Sequence, residues 1–72
     1  MTTEELSQQF KAMDDLRDSG ENTYGGPRYL QEQFGTERFE AREVVSAWMH
    51  TFNPDLTPYN RAEIAIKEGH WS

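Results

Sequence analysis

The sequence predicts a small all-α domain, a bundle of about four helices. Three observations support this: apolar residues recur at helical spacing, a capping residue or a proline precedes each such stretch, and glycine or proline follows it. The chain has 72 residues and no cysteine, so disulfide bonds and thiolate zinc sites cannot stabilise it. We therefore expect a single domain spanning residues 1–72, stabilised by helix packing or by a partner.

The first helix is predicted over residues 3–18. Thr2 and Glu5 have the spacing of a capping box, in which each side chain bonds the backbone amide of the other residue. Leu6 and Phe10 then begin an apolar stripe at helical spacing. The turn-forming residues that follow, at positions 19–26, are expected to form a flexible loop.

Two further helices are predicted in the middle of the chain. Pro27 suits the first turn of a helix over 27–34, and Gly35 ends it. Thr36 is the expected N-cap of a longer helix over 37–52, which keeps apolar residues at helical spacing throughout.

The last predicted helix covers residues 58–68. Thr57 and Pro58 repeat the pattern of an N-cap followed by proline, and Gly69 provides the stop. Residues 62–67 also alternate between apolar and polar, so a strand is the alternative there. Trp48 is expected to be the central packing residue. The predicted core is Leu6, Phe10, Leu30, Phe34, Val45, Trp48 and Phe52.

The segment from Arg28 to Val45 resembles a helix-turn-helix. A short helix, a turn at Gly35 and a longer helix follow one another, with Ala41 and Val44 at the positions where the second helix packs on the first. The stretch from Pro27 to Met49 is also similar to segments of short uncharacterised phage-encoded proteins. The first resemblance implies an αα-hairpin, and through it a DNA-binding role.

The charges of this segment argue against direct DNA binding. It departs from the helix-turn-helix pattern at Gln31 and Thr36, and the candidate phosphate contacts are Arg28, Arg38 and Arg42. Four glutamates accompany these arginines and cancel their charge: Glu32, Glu37, Glu40 and Glu43. The alternatives are an αα-hairpin whose arginines are solvated or paired with glutamates, and a helix-turn-helix that binds a partner without contacting DNA.

The first helix suggests a different contact surface. The chain carries 13 acidic and 7 basic residues, a net charge of -6. Asp14, Asp15 and Asp18 are close together and are candidate contacts for a basic partner, the alternative being a solvated helix face. We expect their joint replacement by asparagine to leave stability unchanged or slightly higher. Tyr24 and Trp71 are the aromatic candidates for partner contact, although Trp71 can instead fold back onto the helices.

The remaining patterns argue against chemistry and membrane insertion. His50 and His70 do not share a helix face, and no serine has a paired histidine and acid, so we expect no metal, cofactor or catalytic site. The longest apolar run is three residues, and the acidic start is unlike a secretory signal, so a cytoplasmic protein is expected.

These observations favour a non-enzymatic, acidic interaction protein, a regulator or inhibitor that binds a larger macromolecule. The expected partner is a protein, which can itself be basic or bind nucleic acid. The alternative is a helix-turn-helix DNA-binding regulator that acts as a dimer. Either a monomer or a homodimer is compatible with the sequence.

Overall fold

The computed structural model describes residues 2–20 and 23–68. Within these ranges the chain forms four α-helices and one 3₁₀ turn, in this order: α1 (Thr3–Asp18), the 3₁₀ turn (Thr23–Gly25), α2 (Gly26–Phe34), α3 (Arg38–His50) and α4 (Pro58–Lys67). The predicted all-α fold is confirmed. Residues 62–67 lie in α4, so the helical alternative is correct for them.

The capping box predicted for α1 is present. The backbone amide of Glu5 donates to Oγ1 of Thr2 at 3.1 Å, and the amide of Thr2 donates to Oε1 of Glu5 at 3.2 Å. Because these hydrogen bonds favour the charged carboxylate, led by the bond from the Thr2 backbone, the pKa of Glu5 lies below its ordinary value. Thr57 caps α4 by accepting the amide of Asn60 at 3.1 Å.

The turn between α2 and α3 differs from its prediction in one respect. Gly35 has φ +67°, and its amide donates to the carbonyl of Gln31 at 2.9 Å, so it ends α2 in the left-handed conformation that glycine adopts without strain. Glu37, and not Thr36, is the N-cap of α3. The Thr36 hydroxyl donates instead to Oε1 of Gln9 at 3.3 Å, which connects this turn to α1.

Helix α1 packs against each of the other three helices, as α3 also does. Its most extensive interface is with α4, while α2 and α3 pack together as a second pair. Small residues allow these close approaches. The fully buried apolar residues include four alanines: Ala41, Ala47, Ala62 and Ala65.

Four of the seven predicted core residues are buried: Leu6, Phe10, Leu30 and Trp48. Val45 is partly buried and packs against this core. The prediction is wrong for Phe34 and Phe52, which are 42% and 52% exposed. Phe34 is the last residue of a helix whose preceding turn already supplies Leu30 to the core. Phe52 lies past the end of α3, which stops at His50 instead of continuing to residue 52.

The loop predicted over residues 19–26 is only partly described. Ser19 is the C-cap of α1, the 3₁₀ turn follows at Thr23–Gly25, and Gly26 already belongs to α2. Residues 21 and 22 lie outside the described residues. A Cβ on Gly26 would lie 2.7 Å from Cε of Met13, so this position brings the start of α2 close to α1.

Replacement of Trp48 by alanine should destabilise the fold by about 3 to 5 kcal/mol, because the side chain is buried and the small core cannot close the cavity. Phe39→Ala is the control, since Phe39 is an aromatic residue of the same helix that is 65% exposed. Thermal melts followed by circular dichroism should show a large loss for Trp48→Ala and little change for Phe39→Ala. Equal melting temperatures would contradict the assigned core.

Candidate functional site

A buried arginine joins three of the helices. Arg61 of α4 is only 2% exposed. Its guanidinium donates to Oδ1 of Asp14 on α1 at 3.0 Å, to the carbonyl of Thr51 at 3.1 Å and to the carbonyl of Trp48 on α3. Burial lowers the pKa of Arg61, and the neighbouring Asp14 carboxylate opposes that change. The arginine therefore satisfies carbonyl groups at the end of α3 while it is paired with α1.

Aromatic rings surround this guanidinium. Its central carbon lies 5.4 Å from the ring centre of Phe10 and 5.5 Å from those of Trp48 and Phe52. A second guanidinium, that of Arg17, also contacts these rings. Its central carbon lies 5.0 Å from the ring centre of Phe52. These cation–π contacts hold the half-exposed Phe52 ring against two guanidinium groups.

The three predicted acidic contacts have separate environments. Asp14 is partly buried and accepts hydrogen bonds from Arg61 and from Nε1 of Trp48 at 2.8 Å. Asp15 is exposed and lies 3.9 Å from the Lys11 ammonium. Asp18, also exposed, lies 3.3 Å from the neighbouring Arg17 guanidinium.

These pairings change the effect on stability that we expect from neutralising the three carboxylates. The three carboxylates do not form one open acidic surface, because Asp14 points into the bundle and the other two each have a cation nearby. The expectation that all three can be neutralised without cost to folding therefore no longer holds for Asp14, whose loss would leave the buried Arg61 guanidinium without its counterion.

The three predicted arginines, in contrast, lie together. Arg28 of α2 and both Arg38 and Arg42 of α3 line one shallow depression of about 480 Å³. Tyr24, the aromatic candidate that the structure describes, lines the same depression and is 93% exposed. Trp71 lies outside the described residues.

This depression continues along the outer side of α3. Two adjoining depressions share Pro27 with it. Both are also lined by Val45 and by Met49, which is 66% exposed. Together they form a continuous concave surface between the start of α2 and one stripe of α3. We call it the α2–α3 groove and define it by Tyr24, Pro27, Arg28, Arg38, Arg42, Val45 and Met49.

The charge of the α2–α3 groove differs in sign from that of the whole chain. Among the described residues, no aspartate or glutamate lines any of its three depressions. Arg28 is paired with a glutamate of its own helix, because its Nε lies 3.3 Å from Oε1 of Glu32. In the described parts of the chain, Arg38 and Arg42 form no ion pair. An acidic protein thus presents a cationic, partly apolar groove.

Sequence reasoning missed the apolar half of this surface. Arg38, Arg42, Val45 and Met49 follow one another at intervals of four, three and four residues, which is the spacing of a single helix stripe. That signal was present in the sequence. The prediction that Val45 belongs to the core conceals this stripe, although the side chain is only partly buried.

Other kinds of site receive no support from the described residues. Over residues 2–20 and 23–68 there is no cluster of three or more side chains able to hold a metal ion. In the same ranges no helix combines the length and the apolar character needed to span a membrane. Comparison of the chain with protein-family models, curated proteins and solved structures found no match.

Asp14→Ala should destabilise the protein by about 2 to 4 kcal/mol, because it removes the carboxylate that compensates a buried guanidinium. Asp15→Ala is a matched control, since it makes the same change at the next position of the same helix, on an exposed side chain. Chemical denaturation should separate the two variants, with Asp15→Ala close to the wild type. A loss of stability shared equally by both would contradict the structural role of Asp14.

Proposed function

We propose that this protein is a non-enzymatic interaction protein that binds a larger macromolecule, most simply another protein, through the α2–α3 groove. One observation carries the proposal: three arginines and an exposed apolar stripe converge in one concave surface of a chain with net charge -6. A surface of this composition combines charge, hydrogen-bond donors and apolar area, as protein interfaces do. The planar guanidinium groups of its arginines can bind and orient a carboxylate through paired hydrogen bonds.

The position of the groove in the fold supports this role. The buried contacts that hold α1, α3 and α4 together involve Arg61, Asp14 and Trp48, none of which lines the groove. The exposed side chains of Arg42 and Met49 can therefore contact a partner without loss of the core. Arginine is one of the residue types enriched among the few that contribute most of the binding energy of an interface, and methionine is enriched in interfaces generally.

A second candidate function is a dimeric helix-turn-helix DNA-binding regulator. It is favoured by the exposure of Arg38 and Arg42 on α3, the second helix of the predicted motif. The net charge of the chain argues against it. A titration of generic duplex DNA near physiological salt should give binding weaker than the roughly 10⁻⁴ to 10⁻⁶ M of non-specific DNA-binding proteins. Tighter binding with a steep salt dependence would favour this second function.

The groove proposal is tested by affinity capture from an extract of the source cells. The baits are the wild type, an Arg38→Glu/Arg42→Glu variant, and a Lys11→Glu/Lys67→Glu control that makes the same change in net charge outside the groove. A partner that binds through the groove should be retained by the wild type and the control. The groove variant should reduce its recovery by roughly tenfold or more, as expected for buried charged contacts.

Circular dichroism of all three baits must first show equal helix content. Recovery of the same proteins by all three baits would contradict binding through the α2–α3 groove. Loss of capture in the control as well as in the groove variant would show that net charge alone governs the binding, and would equally contradict it.

A further inference from the structure

The two ends of the α2–α3 groove have different chemistry. Arg28, Arg38 and Arg42 lie at one end, and Val45 and Met49 continue from them toward the end of α3. The stripe from Arg38 to Met49 covers three helical turns, or about 16 Å. A ligand that follows the groove therefore meets guanidinium groups over one half of its length and apolar side chains over the other half.

We infer that the occupant of the α2–α3 groove is an amphipathic segment of a partner protein, with carboxylates at one end and apolar side chains at the other. The inference rests on the proposed function and adds the chemistry of the partner. Carboxylates accept paired hydrogen bonds from the planar guanidinium groups of Arg38 and Arg42, which form no ion pair within the described residues. Apolar side chains of the segment cover Val45 and Met49.

The apolar half of the groove argues against a nucleic acid as the occupant. A sugar–phosphate backbone carries negative charge along its whole length, and its affinity comes from the number of phosphates neutralised. Here the cationic part ends after Arg42, and the next positions of the stripe are Val45 and Met49. The remaining charge of this acidic chain also repels a long polyanion more than it repels a segment with a few carboxylates.

Helix α1 of a second copy, which carries the exposed acids Asp15 and Asp18, is a poor match for the groove. The exposed acids of α1 that could enter the groove, Asp15 and Asp18, already lie beside Lys11 and Arg17. Helix α1 also directs its large apolar residues Leu6, Phe10 and Met13 into its own core. It therefore cannot offer carboxylates and apolar side chains on one face.

The test uses synthetic peptides of about 12 residues, long enough for three helical turns. Two peptides carry three glutamates at one end and three leucine or phenylalanine residues at the other, in the two opposite orders, because a segment can lie along the groove in either direction. A third has the same composition scrambled, and a fourth has lysine in place of glutamate. Binding is followed by NMR, through the side-chain Nε–H signals of the arginines and the methyl signal of Met49.

At least one of the two ordered peptides should shift the signals of Arg28, Arg38, Arg42 and Met49, with a Kd of about 1 mM or tighter. The lysine peptide should give no shift, and the scrambled peptide should bind at least roughly threefold more weakly. Arg38→Glu/Arg42→Glu should weaken binding by roughly tenfold or more, while Lys11→Glu/Lys67→Glu should leave it unchanged.

Three results would overturn the inference: no shift from either ordered peptide, a thymidine 12-mer that shifts the same signals at lower concentration, or groove signals that move with protein concentration alone. The last two would identify a nucleic acid or a second copy as the occupant. These failures are separable from failure of the proposed function. If the ordered peptides give no shift but a captured protein is lost only with the groove variant, the proposed function stands and the acidic, amphipathic occupant is rejected.

Discussion

The rest of the structure depends on the hydrogen bonds and the ion pair of the buried Arg61 guanidinium. A small core with four alanines among its buried residues has limited apolar area, and α4 has only ten residues. Arg61 compensates by donating to two carbonyl groups at the end of α3 and to the Asp14 carboxylate of α1. A buried cation is tolerated only when it is paired and fully hydrogen-bonded, and no buried side-chain polar atom of the described residues lacks a partner.

This arrangement separates the residues of the core from those of the proposed binding groove. The aromatic and charged groups around Arg61 hold α1, α3 and α4, while the helix pair α2–α3 is held by Leu30, Ala41 and Val44. Stabilising contacts are thus directed inward from one side of α3, and the stripe from Arg38 to Met49 belongs to the proposed binding groove. Helix α3 contributes to both, and a groove built on a packed helix would reduce the ordering cost of the proposed binding.

The helices could be predicted from the sequence because their signals are local. The capping box at Thr2 and Glu5 and the start at Thr57 depend on neighbouring residues alone, and both are present. The role of Arg61 could not be predicted, because it requires Asp14 and Thr51 to be brought together from distant parts of the chain. The same limit applies to part of the site: Arg38 and Arg42 share a helix stripe that the sequence shows, but the approach of Arg28 to them depends on how α2 packs against α3, which no local pattern encodes.

The most direct test of the central role of Arg61 is a double-mutant cycle between Asp14→Ala and Arg61→Met, measured by chemical denaturation. An osmolyte that favours the compact state keeps the weaker variants folded. We expect a coupling energy of about 1 to 3 kcal/mol between Asp14 and Arg61, because each change removes the same charged, hydrogen-bonded contact. Effects that add to within about 0.3 to 0.5 kcal/mol, as for independent sites, would contradict it.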